Sequence, residues 1–311
     1  MDGHSNDLAV ELCGIPLAHP IINGSGTFDA IAARRAFGDA IVERFPFSAY
    51  VSKTITPEPR IGNPPPRLAE APAGLINSIG LPNKGAEGFL LEDLPLLGEL
   101  PVPLIVSVMA PSREGFAGLV ERVAARDEVA ALELNVSCPN VESGLIVGQQ
   151  PGETLGLLEA LRPLTDKPLV VKLTPNVTDQ SAVARAAEGG GADAVSLINT
   201  LSATATDPET LEPRLGAGRG GLSGPAVRAY ALRQVREVAG AVSIPVIGMG
   251  GIESGADALA FLAAGALAIA VGTASFRDPL AAERIRLELA DELGDRSPET
   301  LAARTTASTS T

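Results

Sequence analysis

Short apolar runs rich in valine, isoleucine and leucine alternate with stretches of helical composition along most of this 311-residue chain. Continuous apolar strands separated by helices are typical of parallel sheets that are covered on both faces. A (β/α)8 TIM barrel needs about 250 residues, so we expect an α/β protein with one barrel domain over residues 1–311. The predicted strands are Pro20–Asn23, Ala49–Lys53, Leu104–Val108, Ala131–Asn135, Leu169–Leu173, Ala194–Ile198, Pro245–Gly248 and Ala268–Val271.

Two long insertions interrupt the regular alternation of strands and helices. Pro57–Pro82 is rich in proline, glycine and asparagine, which favours an ordered loop without helix or strand. Thr200–Ser223 is rich in glycine and charge and is a second long loop, and loops of this length in a compact domain are usually functional or disordered. Each follows a strand, which places long loops on the C-terminal face of the barrel. Thr305–Thr311 has nothing to bury and is expected to be a disordered tail. The predicted helices are Ala30–Phe37, Lys84–Leu91, Gly115–Ala125, Thr154–Leu161, Asp179–Glu188, Pro225–Ala239, Ser254–Ala264 and Pro279–Leu293.

Composition excludes several classes of function. Lysine and arginine total 24 against 37 acidic residues, and the resulting net charge of −13 argues against a nucleic-acid partner. Cys13 and Cys138 are the only cysteines, which predicts neither a disulfide framework nor a metal site. The apolar run Ala258–Val271 is broken by Gly265 and is shorter than a membrane span, and the polar first residues do not resemble an export signal. We expect a cytoplasmic protein without a membrane partner.

Cys138 lies just beyond the predicted strand that ends at Asn135. In that strand two leucines alternate with Glu133 and Asn135, so the apolar and the polar side chains face opposite sides. A thiol at the C-terminal end of a barrel strand is in the position that catalytic groups occupy in such folds. The alternative is a buried structural cysteine, but the neighbouring asparagine and serine residues favour the catalytic interpretation.

Other polar groups also lie at predicted strand ends. Lys53 ends the second strand, Lys172 lies within the fifth between two apolar residues, and Asn199 and Thr200 follow the sixth. The alternative for either lysine is a side chain that extends to solvent. A buried parallel strand blocks that route, and a buried ammonium then needs an anion or an electron-rich ring.

Glycines follow the last two predicted strands, in Gly248–Ile252 and at Gly272 before Thr273. Glycine lets backbone N–H groups approach an anion closely, and the loops after strands seven and eight are the usual phosphate site of these barrels. The pattern predicts a phosphorylated cofactor or substrate. The alternative is that the glycines only permit tight turns.

Taken together and in this order, the motifs resemble those of the dihydroorotate dehydrogenases over nearly all of the barrel. Each motif alone is weak, whereas the ordered set is specific. The motifs are Asn23-Gly-Ser-Gly-Thr27, Lys53-Thr-Ile-Thr56, Asn77-Ser-Ile-Gly-Leu-Pro-Asn83, Asn135-Val-Ser-Cys-Pro-Asn140, Lys172-Leu-Thr-Pro-Asn-Val-Thr178, Ile198-Asn-Thr200, Gly220-Gly-Leu-Ser-Gly-Pro225, Gly248-Met-Gly-Gly-Ile252 and Gly272-Thr273.

The resemblance implies a class 1 enzyme, because class 2 enzymes carry a serine where this chain has Cys138. The segments Lys172–Asp179 and Gly220–Gly224 look more like the class 1B catalytic subunit than class 1A. That family oxidises (S)-dihydroorotate to orotate on bound FMN in de novo pyrimidine (UMP) biosynthesis. By the same resemblance, Cys138 is the general base at C5, hydride passes from C6 to flavin N5, and Lys172 stabilises the reduced ring.

The resemblance also assigns binding residues. Ser107 stands where the family often has asparagine, which has a longer side chain, and Val141–Pro151 is expected to form a lid. The expected substrate contacts are Lys53, Asn77, Ser78, Ile79, Gly80, Leu81, Asn135, Asn140, Asn199 and Thr200. The expected FMN contacts are Ser25, Lys53, Thr54, Ser107, Asn135, Lys172, Ile198 and Gly224, with Gly250, Gly251, Gly272 and Thr273 around the phosphate.

The resemblance also implies a homodimer core that pairs with a second subunit in a heterotetramer. That partner carries FAD and a [2Fe-2S] cluster and passes electrons to NAD; this chain has no four-cysteine set for such a cluster. Two alternatives stay open at this point. One is a dihydropyrimidine dehydrogenase type of flavin barrel that acts on uracil or thymine, and the other is a flavin-binding scaffold without catalysis.

Overall fold

Eight parallel strands form the centre of the computed structural model, which describes residues 8–137, 146–294 and 296–302. They pair in the order β3-β14-β13-β10-β9-β8-β7-β4. The predicted (β/α)8 barrel is confirmed. The strands are β1 (Val10–Leu12), β2 (Ile15–Leu17), β3 (Ile21–Asn23), β4 (Tyr50–Val51), β5 (Leu68–Ala71), β6 (Gly74–Asn77), β7 (Leu104–Val108), β8 (Val129–Asn135), β9 (Leu169–Lys172), β10 (Ala194–Leu197), β11 (Leu201–Ala203), β12 (Gly220–Ser223), β13 (Val246–Met249) and β14 (Ala268–Val271).

A side chain closes the barrel between β3 and β4, the two ends of the ladder. The amide oxygen of Asn23 accepts a hydrogen bond from the Val51 N–H at 2.7 Å, and its amide nitrogen donates to the Val51 carbonyl at 2.8 Å. Nearby, the Ser48 N–H donates to the Ile21 carbonyl at 3.0 Å. The amide side chain of the fully buried Asn23 therefore replaces the backbone hydrogen bonds that would otherwise join β3 to β4.

Helices cover the outside of the barrel, and their bounds agree with the predicted ones to within a few residues, with one exception. The predicted helix Lys84–Leu91 is a broken segment in which a π-helical turn, Phe89–Asp93, separates two short helices. Pro95 lacks the N–H that a continuous helix requires. The α-helices are α1 (Ala30–Phe37), α2 (Ala40–Glu43), α3 (Gly85–Gly88), α4 (Leu94–Leu97), α5 (Arg113–Ala124), α6 (Pro151–Leu161), α7 (Gln180–Gly189), α8 (Arg228–Ala239), α9 (Gly255–Ala263), α10 (Ala274–Arg277) and α11 (Ala281–Leu293).

The prediction that both insertions are loops without strands is wrong. The first contributes β5 and β6, the second contributes β11 and β12, and the four strands form one antiparallel sheet in the order β11-β12-β6-β5. A Cβ atom on Gly74 would lie 2.3 Å from the Ser223 carbonyl oxygen, and one on Gly221 would lie 1.9 Å from the Thr200 hydroxyl oxygen. The glycines that indicated loops are thus required for close packing within and beside this sheet.

A hairpin of β1 and β2, which the sequence analysis did not predict, packs on the N-terminal ends of the barrel strands. Its inward residues Leu12 and Leu17 are buried in one apolar cluster with barrel residues such as Ala131 and Val170. We call this end the lower end and the C-terminal end the upper end. Within the described ranges, no helix has both the length and the apolar character needed to cross a bilayer.

Candidate functional site

A cavity of about 330 Å³ opens at the upper end of the barrel, where its lining comes from the ends of the parallel strands and from the antiparallel sheet above them. This volume lies within the range of small-molecule pockets. The predicted site residues that line it are Ser25, Lys53, Thr54, Asn77, Ile79, Gly80, Leu81, Asn135, Lys172, Ile198, Asn199, Thr200, Gly224, Gly250, Gly251, Gly272 and Thr273.

Lys172 lies at the end of β9, and its side chain points into the barrel beside a buried carboxylate. Its ammonium nitrogen is 3.8 Å from the Oε1 atom of Glu133, and the two side chains are 9 % and 4 % exposed. The alternative in which the lysine side chain extends to solvent is therefore ruled out, and Lys172 is buried beside an anion as expected. Glu133 was not selected from the sequence, although the period-two alternation of its strand places it on the same side as Asn135.

A chain of hydroxyl groups lies under the floor of the cavity. The Ser107 hydroxyl donates to Glu133 Oε1 at 3.1 Å, and it lies 2.9 Å from the Thr54 hydroxyl. Thr54 in turn accepts a hydrogen bond from the Asn135 amide at 3.5 Å and lies 3.2 Å from the Ser25 hydroxyl. Ser107 itself is fully buried and does not line the cavity, so it contacts the lining residues from below.

Lys53 crosses the side of the cavity over a glycine. A Cβ atom on Gly26, where φ is +72°, would lie 2.8 Å from the Lys53 Cδ atom and 2.9 Å from its ammonium nitrogen. Burial lowers the pKa of Lys53, and repulsion from the Lys172 ammonium lowers it further. Two cations at one cavity favour an anionic or electron-rich ligand.

The antiparallel sheet supplies the upper wall of the cavity. The Asn77 amide donates to the Gly221 carbonyl at 3.2 Å, which ties the first insertion to the second. Ser78, which was predicted to contact substrate, is outside the lining, and its hydroxyl accepts a hydrogen bond from the Asn63 amide at 2.9 Å. Successive residues of an extended chain face opposite ways, which explains why Asn77 and Ser78 differ.

Asn199 and Thr200 lie just before β11 of this sheet, in a network of amide and hydroxyl groups. The Asn199 amide donates to the Ser137 hydroxyl at 2.9 Å, and its oxygen accepts from the Thr200 N–H at 2.8 Å. The Asn176 amide donates to the Thr200 carbonyl at 3.1 Å. Asn176 was part of a quoted motif but was not assigned to the site; its role here is to hold Thr200.

The positions of Gly251, after β13, and Gly272, after β14, require glycine for different reasons. A Cβ atom on Gly251, where φ is +76°, would lie 2.6 Å from the Gly224 carbonyl oxygen, so backbone geometry alone requires glycine there. At Gly272, by contrast, a Cβ atom would contact only the Thr27 methyl group at 3.5 Å. Gly272 lines the cavity, so a side chain there would fill ligand space, and the site fits a phosphorylated ligand at this point.

Two of the predicted site residues, Cys138 and Asn140, lie outside the described residues, as do residues 141–145 of the predicted lid Val141–Pro151. The described end of that segment is packed against the barrel. The Gly148 N–H donates to the Val136 carbonyl at 2.9 Å.

A larger cavity of about 630 Å³ lies beside α1 and the π-helical turn. Lys53 lines both cavities, but the larger one is lined by none of the other predicted site residues. The smaller cavity is therefore the candidate site, because it collects the strand-end groups of the barrel. Fold and site together define a (β/α)8-barrel enzyme with its active site at the C-terminal ends of the strands.

Comparison with known proteins identifies the family. A family model described as dihydroorotate dehydrogenase matches residues 7–293. The chain is 45 % identical over 287 residues to the dihydroorotate dehydrogenase B (NAD(+)) catalytic subunit of Geobacter metallireducens, with 91 % of this chain and 92 % of the relative covered. It is also 45 % identical over 292 residues to the protein of the same name from Desulforudis audaxviator, with 93 % of each covered. This chain belongs to the dihydroorotate dehydrogenase family, a family of oxidoreductases that act on a CH–CH bond, so the predicted family and enzyme class are confirmed.

Proposed function

We propose that this protein is the catalytic subunit of a class 1B dihydroorotate dehydrogenase, which oxidises (S)-dihydroorotate to orotate with bound FMN in de novo pyrimidine biosynthesis. The observation that carries the proposal is the buried Lys172, which faces the cavity from inside the barrel close to Asn135 and Lys53. A cation in a dry site stabilises negative charge that develops beside it much more than it could in water. When bound, FMN supplies the hydride acceptor.

The chain's own residues would hold the flavin along the floor of the cavity. Lys172 would carry positive charge at the edge of the ring that becomes anionic on reduction, and Asn135 would donate or accept hydrogen bonds beside it. Ser107 lies below the cavity floor and would act through its hydrogen bonds with Thr54 and Glu133 and not by contact with the flavin. The other proposed contacts are Ser25, Lys53, Thr54, Ile198 and Gly224, with Gly250, Gly251, Gly272 and Thr273 near the phosphate.

The substrate would lie between the flavin and the antiparallel sheet. The Lys53 ammonium would pair with the substrate carboxylate, and Asn77, Asn199 and Thr200 would bond to its ring amides, since an amide side chain both donates and accepts. Residues Ile79 to Leu81 would complete the wall. Cys138 and Asn140 enter from the sequence alone: we propose that the Cys138 thiolate removes the C5 proton, a step for which a thiol of ordinary pKa near 8.5 needs only modest stabilisation.

The names of the relatives support a further part of the proposal. They are catalytic subunits of NAD(+)-linked enzymes, so we infer that a separate subunit carries electrons from this one to NAD. In the expected arrangement, two copies of this chain form the core of a cytoplasmic heterotetramer, and the partner holds FAD and a [2Fe-2S] cluster.

Turnover by the purified chain tests the proposed reaction. We expect reduction of bound flavin by dihydroorotate and little or none by dihydrouracil, because only dihydroorotate has the carboxylate that Lys53 would pair with. Lys53→Met should weaken dihydroorotate binding, whereas a dihydropyrimidine dehydrogenase type of enzyme would prefer dihydrouracil and would be indifferent to that change. A protein that binds flavin but reduces it with neither substrate would be the non-catalytic scaffold.

A further inference from the structure

We propose that Glu133 is a positioning residue of this site: its carboxylate pairs with Lys172 and, through the Ser107 and Thr54 hydroxyls, supports the orientation of the Asn135 amide. The inference rests on the proposed function, since the groups it positions are those assigned to the flavin. It does not depend on the residues outside the described ranges.

The carboxylate is placed where folding alone gives no reason for a charge. Glu133 is 3 % exposed inside the barrel. Ala131, two residues earlier on the same face of β8, belongs to the apolar cluster at the lower end. A buried carboxylate costs several kcal/mol unless it is paired, and an apolar residue of similar volume often serves stability as well or better. A charged side chain at such a buried position is a candidate for a functional residue.

Every oxygen of this carboxylate has a defined partner. Oε1 accepts a hydrogen bond from the Ser107 hydroxyl in β7 at 3.1 Å, and Oε2 accepts one from the Ser196 hydroxyl in β10 at 3.2 Å. Lys172, with its nitrogen 3.8 Å from Oε1, is the one cation within 4.0 Å of Glu133 in the described part of the chain. The two serine hydroxyls hold the carboxylate in place, and its negative charge interacts with the Lys172 ammonium.

The charge also sets the direction of the hydroxyl chain. An ionised carboxylate only accepts, so the Ser107 proton must point to Glu133. The single proton of Thr54 then points to the Ser107 oxygen, 2.9 Å away, and the Thr54 oxygen accepts from the Asn135 amide nitrogen at 3.5 Å. The Asn135 oxygen accepts from the Ser137 N–H at 3.3 Å. With Glu133 ionised, the hydroxyl chain therefore favours the same amide orientation of Asn135 that the Ser137 N–H favours.

Substitution of Glu133 separates charge from packing. Glu133→Gln keeps the shape of the side chain but removes the negative charge, so Lys172 acts on the flavin without an opposing charge and the reduced, anionic flavin is favoured. We expect the midpoint potential of bound FMN to rise at near-neutral pH. Ser196→Ala is the matched control, because it removes one hydrogen bond to the same carboxylate and leaves the charge in place; its potential should shift far less than that of Glu133→Gln.

The outcomes are distinct. A rise in potential in Glu133→Gln that clearly exceeds any shift in Ser196→Ala supports the proposal, whereas an unchanged or lowered potential in Glu133→Gln, or an equal shift in Ser196→Ala, overturns it. If wild-type protein binds no FMN, the proposed function fails instead. Should Glu133→Gln fail to fold, the double variant Glu133→Gln/Lys172→Met decides: a folded double variant supports the pair, because no charge is then left alone in the barrel, and an unfolded one overturns it.

Discussion

The two ends of the barrel are built from the same strands but differ sharply in chemistry. In β9, Val170 belongs to the apolar cluster at the lower end, and Lys172, two residues further on, faces the cavity. In β8, Ala131 lies in the same cluster, and Asn135 lines the cavity above it. Along β8 and β9, the apolar core at the lower end therefore gives way to polar groups that line the cavity within a few residues.

The two cysteines provide the sharpest test of that difference between the two ends. Cys13 lies at the lower end, where its thiol donates to the Asp193 carbonyl oxygen, and burial followed by repulsion from the Asp193 carboxylate raises its pKa to about 11. It is therefore protonated at neutral pH. We expect Cys138→Ala to slow flavin reduction by dihydroorotate by about 10²–10⁴-fold, the usual contribution of a general base.

Stopped-flow measurement of flavin reduction checks this, with Cys13→Ala as the control. The control should retain the wild-type rate, because Cys13 lies at the lower end of the barrel and does not line the cavity. Equal rates in wild type and Cys138→Ala would remove the general-base role.

A change at the lower end should affect stability rather than binding. Leu12 is 1 % exposed in the N-terminal hairpin, and truncation of a fully buried leucine leaves a cavity. We expect Leu12→Ala to lower the free energy of unfolding by about 2–5 kcal/mol and to leave the orotate dissociation constant unchanged. Denaturant unfolding and orotate titration measure the two quantities, and a large loss of affinity in the folded variant would break the proposed separation of the two ends.

At the upper end, the lowered pKa of Lys53 predicts a dependence of binding on pH. Only the charged ammonium can pair with a carboxylate, so orotate affinity should be constant while Lys53 is protonated. It should fall by roughly tenfold per pH unit once pH exceeds the pKa, which lies below the ordinary lysine value. The fall should therefore begin at lower pH than for an exposed lysine.

Titration of orotate into the protein at several pH values measures this. Lys53→Arg is the control, because a guanidinium stays charged throughout. A fall of equal size in both proteins would mean that ionisation of the ligand, not of Lys53, governs binding.

The smallest expected effect distinguishes two neighbours in the upper wall. Asn77→Ala removes an amide that lines the cavity, and loss of one hydrogen bond of about 1.4 kcal/mol weakens orotate binding about tenfold. Ser78→Ala should weaken it much less, because that hydroxyl faces Asn63. Dissociation constants from calorimetry test the difference, and a larger loss in Ser78→Ala would show that the wall rearranges when substrate binds.

Local pattern was enough to predict the barrel but not the sheet above it. The eight parallel strands are apolar runs of ordinary length, and Lys172 stood out because a charge is rare in such a run. The sheet joins Gly74–Asn77 to Gly220–Ser223, which lie far apart in the chain. Short strands rich in glycine show no alternation of apolar and polar residues. Their pairing depends on contacts between distant parts of the chain, which the β-propensities of the single residues do not predict.

Glu133 shows a different limit of sequence reasoning. Alternation placed it on the inward side with Asn135, but a glutamate in a strand gives no sign of its partners. Those partners, Ser107 and Ser196, come from β7 and β10, and Lys172 comes from β9. The pair became visible only when four strands were brought together.

The absorption spectrum of the purified protein, recorded without oxygen before and after addition of dihydroorotate, tests the central claim most directly. We expect an oxidised flavin spectrum that dihydroorotate bleaches and that released cofactor identifies as FMN. A colourless protein that fails to take up FMN, or a flavin spectrum that dihydroorotate leaves unchanged, would contradict the account.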